Sequence, residues 1–431
     1  MKILLAALGL TCAVHVSAQT EVLQVFSAEE KTYNPVEWED IKKVNFDAGN
    51  DLMKIRTIEN KTIAVPLKDG LRFASGATPP LINITTDVPV EEITSKKDYL
   101  TGQFEMKCFG NYTNEKKAVS IRGRGNSSWA FPKKPYRIKF DKKVSLCGLP
   151  SAKNYVLLAS WTDHSLMQFA LATKIGQMLE LPYTNQVVPV EVNLNGIYRG
   201  AYILTNKPGM NSGSVDIDES ESILWELDTN YDEDYKFKSP LLKLPVMVSD
   251  PDMDDATFQK WKADFIAMER AVVNGHADEW IDLDIFARYL LVYSVLKNDE
   301  IGFPKSVKLF KTNGGKYIFG PIWDFDSAMG YVWLEDQYTT AEIENQVWMN
   351  SLFKLLYNMP EVKKAYRRHR QALFARMDEI KSYLEQYAED IRTSASRNRA
   401  IWPDFNDWEE SVEDFHNWLD LRVEAMIEND L

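Results

Sequence analysis

Cysteine and histidine are scarce in this chain, and their scarcity limits the metal chemistry it can support. The 431 residues include three cysteines and five histidines, and no two histidines have the HxxxH spacing. Neither residue type occurs in a zinc-binding pattern, so we expect no zinc site built from them. Cys108 and Cys147 could form a disulfide in an oxidising compartment or remain two separate buried thiols, and the sequence leaves both alternatives open.

Other absences exclude further classes of protein. Beyond the N-terminal segment, no run of about 18 uninterrupted apolar residues occurs, which argues against a transmembrane helix there. No GxxxxGK[ST] or GxGxxG sequence is present, so we expect neither a Walker loop nor a dinucleotide-binding fingerprint. The formal net charge of −13 disfavours nucleic acids and anionic membranes as partners. Nothing in the composition indicates an oligomeric state.

The N-terminal residues have the three parts of a secretory signal peptide. Lys2 supplies the charge, residues 3–16 are apolar, and the small-residue sequence VSA ends at Ala18. We predict a signal peptide at residues 1–18, cleaved after Ala18, and export to the periplasm, the cell surface or the extracellular space. Cys12 lies inside the apolar run, which makes it a poor lipidation site, so a lipoprotein is not expected.

Hydrophobic residues make up 45% of the chain, enough for two or three packed domains. Residues 22–46 are echoed by residues 52–74, each copy containing alternating strands and closing on an apolar segment. This repeat predicts a β-repeat module at residues 19–78, made of two similar meanders, and GATPP then indicates a linker. Residues 79–431 form the second predicted domain.

Within the second domain, strand patterns dominate the first half and helical patterns the second, which predicts an α+β fold. A hairpin with Asn195-Gly196 as its turn is expected within residues 187–206. Another is expected from strands 306–311 and 316–324. The predicted helices cover residues 163–179, 254–275, 282–297, 348–357, 361–390 and 407–430.

The sequence GPIWDFDSAMG places two aspartates inside an apolar and aromatic segment. If residues 322–326 are extended, Asp324 and Asp326 point to the same face, because side chains alternate along a strand. Their mutual repulsion must then be offset by solvent, a basic side chain or a cation, and a hard cation with oxygen ligands fits best. The alternative is a strand end whose acids cap the following turn.

A Gly-rich basic stretch, IRGRGNSSWAFPKKPYRIKF, forms a second candidate element. Its glycines permit tight backbone geometry, and its serine hydroxyls and backbone N–H groups can donate to phosphate oxygens. Opposite the two aspartates it would frame a metal-bound polyphosphate. The alternative is a Gly-rich hairpin with solvated arginines. The candidate phosphate-binding residues are Arg122, Arg124, Asn126, Ser127, Ser128, Lys134 and Lys139.

The sequence KNDEIGFPKS follows a predicted helix and supplies candidate catalytic residues. Asn298 can act as a metal ligand, and Asp299 or Glu300 can accept a proton from an attacking hydroxyl group. The alternative is a polar loop at a helix C-terminus. The acidic sequence DTNYDED begins like a calcium loop, but Glu233 and Ser239 replace the expected glycine and glutamate, so we favour a solvated loop.

Together these motifs resemble the spore-coat protein H (CotH) kinase family over about residues 80–430. The resemblance implies a two-lobed atypical protein-kinase-like fold that transfers the γ-phosphate of ATP to Ser or Thr of a partner protein, with Mg²⁺ or Mn²⁺ as cofactor. Residues 19–78 resemble a β module found ahead of exported domains in Bacteroidetes-type proteins. The matching sequences are IRGRGNSSWAFPKKPYRIKF, LCGLPSAKNYVLLASWTDHSLMQFALATKIG, EVNLNGIYRGAYILTN, LWELDTNYDEDYKF and KLFKTNGGKYIFGPIWDFDSAMG.

The resemblance also implies roles for particular residues. Asp324 matches the family's metal-binding aspartate and Asp326 its companion, and Lys134 or Lys139 lies where a phosphate-binding lysine is expected. Asn298 is eight residues before Ser306, where the family usually has seven, so the matching acid is either Asp299 or Glu300.

Two further departures are Thr205-Asn206, where the family has TE, and Gln168, where it usually has arginine. They keep an alternative open, namely a catalytically weak or inactive kinase-like protein that binds a surface protein or glycan. Metal-assisted hydrolysis is a third possibility.

Overall fold

A computed structural model provides the fold. It describes residues 22–27, 31–47, 50, 52–66, 72–74, 79–107, 116–331, 338–340 and 343–430. The predicted signal peptide, Cys12, Cys108 and the first part of the predicted linker lie outside these residues. The pairing of Cys108 with Cys147 therefore stays a prediction.

The N-terminal strands form two three-stranded sheets, with strand orders β2-β1-β6 and β3-β4-β5. The third strand of each predicted copy pairs with the first strand of the other copy, β3 with β4 and β6 with β1. The two copies therefore complete each other's sheets and are not two separate meanders. The strands are β1 (Val22–Ser27), β2 (Thr32–Glu37), β3 (Ile41–Asp47), β4 (Leu52–Thr57), β5 (Thr62–Pro66) and β6 (Arg72–Ala74).

Seven strands close into a barrel in the order β10-β11-β13-β12-β7-β8-β9. Alternate apolar residues such as Ile82, Ile84 and Ile138 fill its interior, as the two-residue period of a strand requires. The predicted hairpin at Asn195-Gly196 is confirmed between β12 and β13. The strands are β7 (Leu81–Thr86), β8 (Leu100–Lys107), β9 (Lys116–Gly123), β10 (Tyr136–Val144), β11 (Ala152–Leu158), β12 (Val187–Leu194) and β13 (Ile197–Asn206).

A second sheet of five strands has the order β15-β16-β14-β17-β18, with antiparallel pairs throughout. Its central strand β14 is almost entirely buried, because Trp225 packs against Phe237 and Phe265 from neighbouring elements. The strands are β14 (Ser222–Leu227), β15 (Lys236–Lys238), β16 (Pro245–Asp250), β17 (Val307–Thr312) and β18 (Ile318–Phe319).

Four of the eight helices of the described residues start at a side chain that caps the first backbone N–H groups. Asp254, Asp282, Asn350 and Asp407 each accept such a bond. The helices of the described residues are α1 (Gln168–Met178), α2 (Asp255–Val273), α3 (Ala277–Trp280), α4 (Leu283–Val295), α5 (Ser351–Tyr357), α6 (Pro360–Phe374), α7 (Met377–Ile401) and α8 (Trp408–Glu428). The fold is thus a mixed α/β fold, and none of these helices is long and apolar enough to cross a membrane.

Several predicted elements differ from the structure. The predicted helix 163–179 begins only at Gln168, and the helical segment predicted to end at residue 390 continues to Ile401. The predicted helix 361–390 is two helices, because Arg376 leaves helical geometry (φ −117°, ψ 22°) between α6 and α7. The predicted strand 316–324 is wrong beyond Phe319, since β18 ends there. Asp324 has a left-handed backbone conformation (φ 64°), so the segment around it is not extended.

The N-terminal strands pack directly on the barrel and on α7. Tyr198 of β13 donates its backbone N–H to Lys31 O (2.6 Å), and the Asn193 side chain donates to Tyr33 O (3.1 Å). Arg397 of α7 bonds both carboxylate oxygens of Glu191 and also donates to the side chain of Gln24. A fully buried ion pair therefore lies where three parts of the chain meet.

Candidate active site

A cavity of about 430 Å³ contains both of the elements that the sequence singled out. One wall is the Gly-rich loop after β9, and the opposite wall includes the turn that carries Asp324 and Asp326. Seven basic and seven acidic side chains line it: Lys96, Arg122, Arg124, Arg137, Lys207, Lys305 and Lys308, with Glu226, Asp228, Asp232, Glu233, Glu300, Asp324 and Asp326. The two predicted elements thus share one cavity.

The aspartate turn is held in place by its buried aromatic neighbours and by hydrogen bonds to its backbone. Trp323 and Phe325 are buried, and they anchor the turn on both sides of Asp324. The Asn298 side chain donates to Asp324 O (2.8 Å), and the Thr162 hydroxyl donates to Asp326 O (2.5 Å). The carboxylates are left to face the cavity, so both aspartates line one site although the segment is not a strand.

The Asp326 carboxyl group lies beside that of Asp324. The pKa of Asp326 is raised well above its usual value, first by burial, then by the charge of Asp324 and by a hydrogen bond to Asp324 that needs the proton. Arg124 lies on the same cavity with its guanidinium 5.6 Å from the ring centroid of Trp323. Burial lowers the pKa of Arg124, while Asp324 and Asp326 raise it. Arg124 is therefore a cation close to both carboxylates, although burial and the charge of Asp324 still disfavour the ionised form of Asp326.

The Gly-rich loop is tightly folded around two side chains. A Cβ at Gly125 would lie 2.2 Å from the Ser128 hydroxyl, and the residue has φ +88°, so only glycine fits there. The Lys96 ammonium group donates a hydrogen bond to Gly125 O (2.8 Å), which links the loop to the segment before β8. Asn126, Ser127 and Ser128 consequently line the cavity, as do Arg122 and Arg124.

The lysines chosen from the sequence lie elsewhere. Lys134 donates to Trp129 O (2.9 Å) and is not part of the cavity lining, and Lys139 is exposed on β10. The structure instead brings Lys207, which directly follows β13, and Lys308 of β17 into the cavity. In the sequence each is a lysine in or beside a strand, and this pattern predicts a solvent-exposed side chain. The resemblance in YILTN immediately before Lys207 was the one signal that could have identified it.

Lys207 is a titratable group of this cavity. Burial, together with the positive charges of Arg137 and Lys308, lowers its pKa from 10.5 to about 8. The ammonium form is therefore largely present at pH 7 and is lost as the pH rises through about 8. An anion bound beside it should consequently lose an ionic partner over that interval.

For the metal-bound polyphosphate that the sequence predicts at this cavity, with Mn²⁺-ATP as the probe, we expect the affinity to fall about tenfold between pH 7 and pH 9, measured by isothermal titration calorimetry. Lys207→Met should bind weakly at both pH values, whereas the exposed-site control Lys139→Met should follow the wild type. Because the pKa of Lys207 is lower in the folded than in the unfolded chain, its contribution to stability improves as the pH rises above 8, so unfolding does not mimic the effect. An equal pH dependence in Lys207→Met would contradict the assignment.

The candidate catalytic loop is a short 3₁₀ turn, Asp299–Ile301, after α4. Glu300 lines the cavity, and its pKa is raised well above the usual value by burial and by the charges of Asp324 and Asp326. Asp299 is outside the cavity lining, where its oxygens accept from the Lys297 ammonium group (2.5 Å) and from the backbone N–H of Trp348 (2.5 Å). The structure thus separates the two acids that the sequence could not distinguish.

Asn298 is fully buried and does not line the cavity. Its amide nitrogen donates to Asp324 O, and its amide oxygen accepts the backbone N–H of Glu300 (3.1 Å). Both ends of this side chain therefore connect the aspartate turn to the loop that carries Glu300. In this arrangement Asn298 positions the two segments.

The acidic loop after β14 forms the remaining wall. Asp228 is buried, and its oxygens accept the backbone N–H groups of Asn230 (2.7 Å) and Ser306 (3.1 Å). Burial raises the pKa of Asp228 to about 6. Asp232 receives a long hydrogen bond from the Asn126 side chain (3.4 Å), so the acidic loop touches the Gly-rich loop across the cavity.

The donor set fits a magnesium-type ion. Among the residues that the structure describes, no group of three or more His, Cys, Asp or Glu side chains is arranged to hold a metal. Asp324 and Asp326 are a two-carboxylate set, which Mg²⁺ commonly uses when water and phosphate oxygens complete its coordination. The raised pKa of Asp326 beside Asp324 is a further reason why a cation would be favourable here.

Comparisons with known proteins agree with the motifs. No curated protein matches the chain. The family described as CotH kinase protein matches residues 121–426, which include the Gly-rich loop, the Glu300 loop and the aspartate turn. Because this match covers more than half of the chain, the protein belongs to the CotH kinase family.

Proposed function

We propose that this protein is a metal-dependent atypical protein kinase that transfers the γ-phosphate of ATP to Ser or Thr residues of a partner protein. The observation that carries the proposal is the meeting of the Gly-rich basic loop with Asp324 and Asp326 in one cavity. A triphosphate with Mg²⁺ or Mn²⁺ complements both charge types. In this proposal the barrel forms one lobe and the five-stranded sheet with its helices forms the other.

In this proposal the basic residues of the cavity would bind the phosphate groups and the two aspartates would bind the cation. Arg124, Lys207 and Lys308 would bind phosphate oxygens, and the hydroxyl and backbone donors of the Gly-rich loop would orient them. Asp324 and Asp326 would hold the cation, which neutralises charge on the phosphates during transfer. Asn298 would keep the two carboxylates and Glu300 in register through its two hydrogen bonds.

Glu300 is the residue that we assign as the proton acceptor. Glu300 faces the cavity, whereas both carboxylate oxygens of Asp299 accept hydrogen bonds, one from Lys297 and one from Trp348. As the acceptor hydroxyl oxygen forms its bond to the γ-phosphorus, its proton passes to the Glu300 carboxylate and the bond to the leaving diphosphate breaks. Cationic charge near Asp324 and Asp326 would lower the raised pKa of Glu300 and keep it ionised.

The two neighbouring acids should respond differently to substitution. Glu300→Gln should lower kcat for phosphotransfer by about a hundredfold with an unchanged ATP dissociation constant, because the proton acceptor is lost and the cavity keeps its shape. Asp299→Asn should leave kcat within a few fold and lower the melting temperature, because it weakens the bonds to Lys297 and Trp348. Equal losses of kcat in the two variants would remove Glu300 from the mechanism.

The direct test is phosphotransfer from labelled ATP by the mature protein, preceded by thermal-shift titration with Mn²⁺ and ATP. A metal-dependent stabilisation followed by label incorporation supports the kinase. Transfer to water in place of protein would instead indicate metal-assisted hydrolysis. We also propose that the chain is exported, so the partner and the nucleotide would be met outside the cytoplasm or during export.

One observation favours the alternative of a catalytically inactive binding protein. The amide oxygen of Asn298 is turned to the backbone of Glu300, so the predicted third metal ligand does not face the cavity. Such a protein would recognise a surface protein or glycan through the same cavity. Nucleotide binding without any transfer in the labelled-ATP assay would select this alternative.

A further inference from the structure

Two large aromatic side chains lie exposed in contact with each other. Phe303 is 56% exposed and Trp348 is 51% exposed, and their ring centroids are 4.4 Å apart in an edge-to-face arrangement. Single exposed hydrophobic residues are ordinary on protein surfaces, but an exposed contacting pair is a contiguous apolar patch. We call Phe303 and Trp348 the aromatic surface.

Contacts with residues 299–302 hold Trp348 and the segment around it in place. The backbone N–H of Trp348 donates to Asp299 Oδ1, and the Asn350 side chain donates to Ile301 O (2.8 Å). A Cβ at Gly302 would lie 3.0 Å from Cγ of Trp348, so the ring rests directly on this glycine. The segment before α5 is therefore bonded along the Glu300 loop, which positions Trp348 against Gly302 and beside Phe303. Preorganised aromatic side chains lose little conformational entropy on binding.

The aromatic surface and the proposed active site share one loop. Phe303 is three residues after Glu300, and Lys305 and Ser306, which follow it, line the cavity. A three-residue separation is about 10 Å at most, since an extended chain advances about 3.3 Å per residue, so a peptide with a hydroxyl group at Glu300 is long enough to reach Phe303 as well. The surface and the cavity share one loop, so one ligand can use both.

Exposed apolar residues also flank the aromatic surface. The Ser351 hydroxyl donates to Leu242 O (3.2 Å), which brings the chain around Leu241 against the start of α5. Leu241 is 48% exposed, and Leu355, one turn further along α5, is 40% exposed. An extended segment with apolar side chains would find further contacts in this direction.

We propose that the aromatic surface binds the acceptor segment of the protein substrate and selects a bulky apolar side chain within a few residues of the phosphoacceptor Ser or Thr. The inference rests on the proposed function, because it needs a hydroxyl group to reach Glu300. The occupant is an extended peptide, since a single loop carries Phe303 together with the cavity residues Glu300, Lys305 and Ser306, and a peptide is long enough to contact both. An anionic bilayer fits less well, because the chain is acidic and Glu344 is exposed nearby in sequence.

The test uses nine-residue peptides with a central serine in an alanine background, in which one phenylalanine occupies each other position in turn. Binding of the labelled peptides is measured by fluorescence anisotropy without nucleotide, and kcat/KM is measured with Mn²⁺-ATP. We expect one or two positions to improve binding and kcat/KM at least about fivefold over the all-alanine peptide. Phe303→Ala, alone and with Trp348→Ala, should remove this preference and leave ATP affinity unchanged. The control Phe46→Ala, which deletes another exposed phenylalanine, should retain it.

The outcomes separate the inference from the proposed function. Transfer to all peptides at equal kcat/KM, or a preference that survives Phe303→Ala, overturns the inference and leaves the kinase intact. Preferential peptide binding without ATP binding supports the surface and refutes the kinase. Phe303-dependent sedimentation with phosphatidylglycerol vesicles, or Phe303-dependent dimerisation in analytical ultracentrifugation, without a peptide preference assigns the surface to a membrane or to a second copy and also overturns the inference.

Discussion

Asp324→Asn is expected to abolish metal-dependent ATP binding and to lower phosphotransfer by about a thousandfold or more, with no loss of stability. The substitution removes one charge from the proposed cation site but keeps an oxygen that can accept from the Ser306 hydroxyl. It also removes a charge that raises the pKa of Asp326. In the absence of ligands the melting temperature should therefore stay constant or rise by a few degrees, as is common when a functional site is neutralised.

Calorimetric titration of Mn²⁺-ATP, a labelled-ATP assay and a thermal melt on the same preparation test this expectation. Asp404→Asn is a matched control, because Asp404 is an exposed aspartate outside the cavity lining. It should leave all three measurements unchanged. Wild-type ATP affinity in Asp324→Asn would falsify the cation site, and a folded-state collapse would show that the aspartates serve the fold instead.

The second large effect concerns stability. Arg397→Met should lower the free energy of unfolding by about 3–5 kcal/mol, because it leaves Glu191 buried without its ionic partner. The two side chains are 0–1% exposed and form two parallel hydrogen bonds of 2.9 and 2.8 Å. The guanidinium also stacks 4.1 Å from the ring centroid of Tyr33, so the N-terminal strands share in the loss.

Urea unfolding at pH 7, followed by tryptophan fluorescence, measures this effect. Arg399→Met is the control on the same helix, because its ion pair with Asp407 (2.8 Å) is about half exposed at both ends, and its loss should cost less than about 1 kcal/mol. The double variant Glu191→Leu/Arg397→Met should recover much of the stability, since no uncompensated charge remains. A small cost for Arg397→Met alone would mean that Glu191 has access to water.

The local elements followed from the sequence because their determinants are local. The helices predicted at residues 254–275 and 282–297 begin at residues 255 and 283, directly after aspartates that cap them, and the Asn195-Gly196 turn correctly predicted a hairpin. The repeat in the N-terminal segment was visible, but its pairing was not, since strand exchange between the copies leaves the pattern of each strand unchanged. Which strands join depends on contacts made after folding.

The candidate site was predictable in part for the same reason. Arg124, Asp324 and Asp326 were identified from charge and motif, and they line one cavity. Lys207 and Lys308 were missed, because each is an isolated lysine until folding gathers them beside Arg137. The choice between Asp299 and Glu300 was likewise open, since adjacent side chains in a loop have no periodicity to assign their directions.

The sequence by itself determined the chemistry that is available to this protein: an acidic pair in an apolar segment, a basic Gly-rich loop, and membership of a kinase family through residues 121–426. Only the tertiary structure decided which side chains face the cavity and that Asp299, not Glu300, accepts hydrogen bonds from Lys297 and Trp348. It also decided that Glu191 and Arg397, which are 206 residues apart in sequence, are buried together. The physical reason is that side-chain direction in loops and the partners of buried charges are set by long-range contacts, which no local pattern encodes.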